Sequence, residues 1–127
     1  MGQDPSRIEA SWPEEHLCLV RLTESRILDE LSIEQIGREL KGLVQDHLGL
    51  KVVLSFEGVE YLSSSVLSML LNLKKTIDDF RGCLKLADIC PQIMRVFQIT
   101  RLAGVFDIAE TADQALEELA GGDNSAE

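Results

Sequence analysis

The most restrictive feature of the sequence is that short apolar segments alternate with longer segments in which apolar residues recur every three or four positions. Residues 51–56 are almost continuously apolar, as in a strand that is covered on both faces. Residues 66–77 follow at helical spacing, and residues 82–87 form a second short apolar segment. This order predicts parallel strands joined by a right-handed crossover helix, with residues 51–56 as the central strand. The apolar face of that helix is predicted to be Val66, Leu70, Leu73 and Ile77.

The rest of the chain extends this pattern. Residues 17–22 read as the first strand, and the pattern allows it to continue into residues 26–28. Ser32 and Gln35 have capping-box spacing, which predicts a helix that starts at Ser32 and stops at Gly49.

The C-terminal part contains two more helices. Pro91 opens a helix whose buried side is predicted to consist of Ile93, Met94, Val96 and Phe97. Residues 106–108 are predicted as a short last strand, and Thr111 with Gln114 repeats the capping-box spacing before the final helix.

The chain is therefore predicted to be α/β, with a mixed or mostly parallel central sheet of four to five strands and four helices. A length of 127 residues suits one domain with its own core. We place that domain at residues 16–120, after a flexible lead-in at residues 1–15 and before a polar tail at residues 121–127.

Charge and composition narrow the kind of partner. The net charge of −10 disfavours nucleic acid, which binds through clustered cationic side chains. No apolar run approaches the roughly 20 residues of a membrane-spanning helix, and no signal-peptide pattern is present, so we expect no membrane association. Three cysteines without pairing spacing fit a reducing compartment, and we expect the protein to be cytoplasmic.

The residues needed for common catalytic or metal sites are missing from the sequence pattern. His16 and His47 lie apart, neither a nucleophile elbow nor a nucleotide-binding glycine loop is found, and zinc-ligand spacing is absent. Cys18, Cys83 and Cys90 lie in or beside apolar segments and read as small core residues. The sequence thus predicts no catalytic residue, no metal and no cofactor, and it points to a protein partner.

Three consecutive serines, Ser63, Ser64 and Ser65, stand at the N-terminus of the second predicted helix. Backbone N–H groups there favour negative charge, so a phosphoserine would be well accommodated and would present a charge of about −1.5 to −2. Simple N-capping explains the same serines, and the local pattern leaves both interpretations open.

Residues 51–77 resemble the core of STAS domains, the family of sulfate transporter and anti-sigma factor antagonist domains, and the similarity spans most of residues 17–119. Members carry an Asp-Ser-Ser-Gly or Asp-Ser-Thr-Gly loop at this helix start, whose first hydroxyl is phosphorylated by an anti-sigma kinase. The resemblance implies Ser64 as the phosphoacceptor, with Ser63 at the Asp position and Val66 at the Gly position. It also places Asp29 at an acidic position beside the loop. The implied partner-binding residues are Asp29, Ser63, Ser64, Ser65 and Val66.

By this resemblance the chain is a non-enzymatic regulatory module that binds an anti-sigma factor or serine kinase-like protein through residues 61–75. The alternative is a constitutive scaffold that uses the same surface in a larger complex without phosphorylation. A receiver-type domain is disfavoured, because Glu24 and Glu57 are isolated acids where such a domain needs clustered ones. A monomer and a weak homodimer both remain open.

Overall fold

The computed structural model describes residues 7–121, which form one five-stranded sheet, a small two-stranded sheet and four α-helices. The strands are β1 (Ile8–Glu14), β2 (Leu17–Leu22), β3 (Arg26–Ile27), β4 (Lys51–Ser55), β5 (Tyr61–Leu62), β6 (Cys83–Ala87) and β7 (Asp107–Ala109). The helices are α1 (Glu30–Gln45), α2 (Ser64–Asp79), α3 (Pro91–Ile99) and α4 (Ala112–Gly121), and a 3₁₀ turn covers Leu102–Gly104.

The large sheet has the strand order β1-β2-β4-β6-β7, so β4 is central. β1 runs antiparallel to β2, whereas β2, β4, β6 and β7 run parallel to one another. Lys51 lies opposite Leu17 on one side of β4 and opposite Cys83 on the other. The predicted central strand and its crossover through α2 are confirmed, and so is the α/β fold class.

Helices cover the two faces of the sheet unequally. The larger core lies under α1, α2 and α3, where Val66, Leu70, Leu73 and Ile77 of α2 are buried as predicted. On the opposite face α4 contributes Ala115 to a small buried cluster and packs through it on Val53, Ala87 and Ala109 of the sheet. This unequal division follows from the sequence, since apolar side chains of α4 are short or partly exposed.

Residues 8–14, where we predicted a flexible lead-in, form the edge strand β1. Only Ile8 in this strand is buried, so the strand lacks the apolar alternation that sequence patterns detect. Backbone pairing with β2 holds it instead, from Ile8 opposite Leu22 to Glu14 opposite Leu17. Residues 1–6 of the predicted lead-in and 122–127 of the predicted tail lie outside the described residues.

The predicted start of the first helix at Ser32 is wrong. α1 begins at Glu30, and its N-cap is Asp29, whose Oδ2 accepts hydrogen bonds from the Ser32 backbone N (3.0 Å) and the Ser32 hydroxyl (3.3 Å). Two capping patterns overlap in this segment, and the one that starts at Asp29 prevails. The predicted buried side of α3 is partly wrong as well, because Val96 is exposed beside buried Ile93 and Phe97.

Candidate functional site

The serine loop lies at the carboxyl end of the central strand, beside the start of α1. After β4 the chain turns into β5, which pairs in parallel with β3 so that Tyr61 lies opposite Arg26. The Ser63 backbone N then donates to the Ile27 carbonyl oxygen (3.1 Å). This short ladder fixes the start of α2 against the segment that leads into α1.

The three adjacent serines have three different environments. The hydroxyl of Ser63 is buried and has no hydrogen-bond partner among the described residues. The hydroxyl of Ser65 donates to Glu30 Oε2 at 2.6 Å, which ties α2 to α1. Ser64 is exposed, and no hydrogen bond engages its side chain within residues 7–121. The serine whose hydroxyl is accessible to another protein is therefore Ser64.

No side-chain cap and no acidic residue of the first turn neutralises the N-terminus of α2. Ser63 is the N-cap of α2 and has extended backbone angles, but its side chain makes no capping bond, and the first turn of α2 carries no acidic residue. The N-terminal amides of a sixteen-residue helix bear a partial positive charge. An anionic group on Ser64 would lie within reach of this charge, since the competing carboxylate, Glu30, is already engaged by Ser65.

Two of the predicted partner-binding residues have structural roles. Asp29 remains exposed, but its carboxylate caps α1. Val66 is 0% exposed and packs in the main core, so its side chain cannot contact a partner. The implied role of Val66 in partner binding is thus corrected: the side chain points inward because it belongs to the buried face of α2.

Apolar side chains that the sequence analysis did not single out flank Ser64. Leu28 is 45% exposed, Leu31 is 74% exposed and Tyr61 is 47% exposed. The guanidinium of Arg26 lies 5.0 Å from the centroid of the Tyr61 ring. Leu31 offered a signal in the sequence, since it falls outside the buried apolar face of α1, whose large side chains are Ile33, Ile36, Leu40 and Val44. A partly apolar surface next to an accessible hydroxyl is suited to binding a protein.

A groove between α1 and α2 continues from this surface. Its floor includes Ile33, Gly37 and Met69, and a Cβ atom on Gly37 would lie 3.1 Å from Met69 Cγ. Polar and charged side chains, among them Arg38 and Lys41, form its rim. The groove therefore offers an apolar floor and a charged rim rather than a set of reactive groups.

The remaining candidate groups do not form a reactive site in the described part of the chain. Burial raises the pKa of the Cys18 thiol to about 11, which keeps it protonated. Cys83 is exposed, contrary to its predicted core position, and Cys90 is half-buried. His47 Nδ1 lies 2.8 Å from the Leu43 carbonyl oxygen, and the His47 ring lies 4.8 Å from the Trp12 ring, centroid to centroid, at a tilt of 41°. Within residues 7–121 no group of three His, Cys, Asp or Glu side chains is placed to hold a metal ion.

No helix in the described part of the chain is both long and apolar enough to cross a bilayer.

Comparisons with known proteins agree on one family. A family model described as the STAS domain matches residues 12–115. BtrV of Bordetella bronchiseptica, described as a candidate anti-sigma factor antagonist, is 28% identical over 89 residues, which cover 70% of this chain and 76% of BtrV.

Solved structures support the same assignment. An anti-sigma factor antagonist (STAS) domain protein from Planctomyces limnophilus superposes with a TM-score of 0.80 at 26% identity, covering 90% of this chain and 98% of that one. The phosphorylated form of the Bacillus cell fate determinant SpoIIAA superposes with a TM-score of 0.68 at 18% identity, covering 88% of this chain and 98% of that one. The second likeness is one of fold.

Proposed function

Because the chain belongs to the STAS domain family, we propose that it is a non-enzymatic regulatory module of the anti-sigma factor antagonist type and binds an anti-sigma factor of the kinase type through the surface around Ser64. The accessible hydroxyl of Ser64 at the start of α2 is the observation that carries this proposal. Its neighbours Ser63 and Ser65 are unsuited to modification, since one hydroxyl is buried and the other is bonded to Glu30. A kinase partner that uses ATP places the interaction in the cytoplasm.

Phosphorylation of Ser64 would act on the interface and leave the fold intact. A phosphate adds a charge of about −1.5 to −2, which the N-terminal amides of α2 can stabilise. The same charge would lie among Asp29, Glu30 and the apolar side chains that flank the loop. A partner surface that fits the neutral hydroxyl would have to desolvate that unmatched charge, so we propose that phosphorylation releases the partner.

The test begins with the partner. The tagged chain is used to isolate binding proteins from a lysate of the organism that encodes it, and a kinase-type ATPase is identified by mass spectrometry and produced recombinantly. Its affinity is then measured for the wild type, Ser64→Ala and Ser64→Asp. We expect Ser64→Ala to bind like the wild type and Ser64→Asp to bind at least about tenfold more weakly, which corresponds to about 1.4 kcal/mol.

Ser11→Asp is the control, because Ser11 is exposed on the edge strand β1, outside the serine loop and the groove between α1 and α2. A loss of binding confined to Ser64→Asp supports the proposal. Equal binding by Ser64→Asp and the wild type contradicts the assigned surface, especially if a substitution far from the loop abolishes binding.

Incubation of the chain with the kinase and Mg-ATP, followed by mapping of the phosphate, tests the switch itself. The alternative to a switch is the constitutive scaffold, and it has a specific observation in its favour. Ser63 supplies no carboxylate where the family pattern has Asp. If Ser64→Asp fails to bind but no phosphate is ever found on Ser64, the surface is correct and the scaffold is the function.

A further inference from the structure

A second exposed surface lies on α3, away from Ser64. Residues 89–106 contain Arg95 and Arg101 and no acidic residue, in a chain whose net charge is −10. Neither arginine forms an ion pair or a hydrogen bond through its side chain in the described part of the chain. The segment thus carries net positive charge in an acidic protein, and the guanidinium groups of its two arginines can bind acidic groups of another molecule.

Exposed apolar side chains accompany these arginines. Ile99 is 73% exposed and Val96 is 37% exposed, and they lie one turn apart on α3. Arg95 precedes Ile99 by four residues and shares its face, and Arg101 follows the helix with a left-handed φ of 66°. We call Arg95, Val96, Ile99 and Arg101 the α3 patch.

The start of α1 presents the complementary chemistry. Leu31 is 74% exposed and lies one turn before Glu34, and Leu28 and Asp29 immediately precede the helix. Glu34 has only a loose pairing with Arg38, at 4.0 Å. We call Leu28, Asp29, Leu31 and Glu34 the α1 patch. Each patch thus combines two exposed aliphatic side chains with two charges, and the charges of the two patches have opposite sign.

The topology places the two patches at opposite ends of the parallel strands. α1 begins after the carboxyl end of β2, whereas the end of α3 leads into β7, which runs parallel to β6. The α1 patch therefore lies at the carboxyl edge and the α3 patch at the amino edge. Two copies in the same orientation can bring the α3 patch of one onto the α1 patch of the next.

We propose that the α3 patch binds the α1 patch of a second copy of this chain, in a head-to-tail contact. Repulsion between two acidic copies is screened over about 8 Å at physiological salt, whereas the opposed charges of the patches meet at contact distance. Patches of this size bury little area, so the association is weak and depends on concentration. An anionic membrane is a poorer occupant, because the chain carries a net charge of −10 and the patch only two arginines. The α1 patch shares Leu28, Asp29 and Leu31 with the surface proposed to bind the anti-sigma factor, but self-association is measured without that partner and so can fail or succeed separately from the proposed function.

Sedimentation velocity over a wide range of protein concentration tests the contact. We expect the wild type to show a sedimentation coefficient that rises with concentration and falls when salt is added. Ile99→Ser with Arg101→Asn, and Leu31→Ser with Glu34→Gln, should each remain monomeric at the highest concentration. All four side chains are exposed, so the fold should survive, and circular dichroism checks it. Leu48→Ser with Arg81→Asn is the matched control, since Leu48 is 65% exposed and Arg81 also has a left-handed φ, of 63°.

Mixing the two patch variants separates a head-to-tail contact from other modes of association. Each variant retains one intact patch, so an equimolar mixture should form a 1:1 dimer and nothing larger. A monomeric wild type at every concentration overturns the proposal, and so does self-association that either double variant leaves unchanged. A mixture that stays monomeric also overturns it, because an intact α3 patch on one variant and an intact α1 patch on the other should bind each other. If the wild type stays monomeric but sediments with phosphatidylglycerol vesicles through Ile99 and Arg101, the patch binds lipid and the proposed contact is wrong.

Discussion

At the scale of single residues, position on the fold decides what identical side chains can do. Ser63, Ser64 and Ser65 have the same chemistry, but the hydroxyl of the first is buried and the hydroxyl of the third donates to Glu30 of α1. Ser64 remains exposed because the first turn of α2 points its side chain away from both contacts. The difference in accessibility among the three hydroxyls thus follows from the burial of Ser63 and from one carboxylate of α1.

Replacement of Asp29 tests whether this residue acts through structure or through charge. Asp29→Ala removes the cap of α1 and should lower the free energy of unfolding by about 1 kcal/mol, or the melting temperature by about 4 °C for a domain of this size. Asp29→Asn keeps a capping oxygen and should unfold like the wild type. Thermal unfolding followed by circular dichroism measures both. Equal loss of stability in the two variants would mean that the carboxylate charge, and not the cap, stabilises α1.

Replacement of Val66 with the family's glycine should harm the domain. Val66 is fully buried, so Val66→Gly leaves a cavity and adds a flexible residue to α2, at a cost of about 3 kcal/mol. Ser68→Gly is the control: its side chain is exposed, and the change should cost only about 1 kcal/mol. Urea unfolding gives both values. Val66→Gly with the stability of the control would show that Val66 does not pack in the core.

The sequence predicted the site in part. Helical spacing correctly predicted that Val66 is buried, whereas the family pattern alone placed it on the binding surface. The two arguments conflict because a loop motif records residue order but does not record which way a side chain points. Leu28 and Tyr61 escaped detection for a related reason, since an exposed apolar residue has no signature until the strands beside it are paired.

At the scale of elements, a helix or strand is predicted correctly where its buried side chains recur at regular spacing in the sequence. The predicted α2 and the central strand agree with the structure because their side chains fill the core. β1 was missed because six of its seven residues are exposed, and the start of α1 was misplaced because Asp29 and Ser32 each offer a capping pattern. In both cases the deciding interaction is backbone pairing or capping, which local side-chain patterns specify weakly.

Lys85 joins three elements and should make stability depend on pH in the alkaline range. Its Nζ lies 2.8 Å from Asp107 Oδ2 at β7 and 2.8 Å from Glu118 Oε1 on α4. Burial lowers the pKa of Lys85, but hydrogen bonds and charge from Asp107 and Glu118 raise it more, so the net pKa lies above its ordinary value. A raised pKa means that the folded state favours the protonated form.

The resulting stabilisation is complete below the ordinary lysine pKa of about 10.4 and is lost as the pH rises through the folded-state value. As the pH rises through this range, the free energy of unfolding of the wild type should therefore fall relative to that of Lys85→Met. Guanidinium unfolding at a series of pH values measures it, with Lys75→Met, at an exposed lysine of α2, as the control. A difference that stays constant with pH would show that the two carboxylates do not stabilise the Lys85 ammonium.

At the scale of the whole molecule, the two faces of the sheet differ in the size of the apolar core that covers them and in whether they carry a proposed contact surface. The face under α1, α2 and α3 carries the larger core and both proposed contact surfaces. The face under α4 rests on Val53 and three alanines, and polar contacts supplement it, among them Asp88 Oδ1 accepting from the Ala112 backbone N at 3.2 Å. Because buried apolar area provides most of the stabilisation, we expect α4 to be held less strongly than α1 and α2, which fill the larger core.

Hydrogen exchange should resolve this difference directly. Amides of β4 and of residues 67–73 in α2 are expected to exchange only through global unfolding, so their exchange should accelerate with added urea in parallel with the whole domain. Amides of residues 116–120 should exchange through a smaller opening that exposes little surface and hence depends weakly on urea. Ala115→Leu would crowd the small cluster and should accelerate exchange in α4 without changing β4 by the same amount. If the opening free energies and their urea dependence were equal in α4 and β4, both faces would unfold as one unit. The face with the small cluster would then be as stable as the face with the larger core.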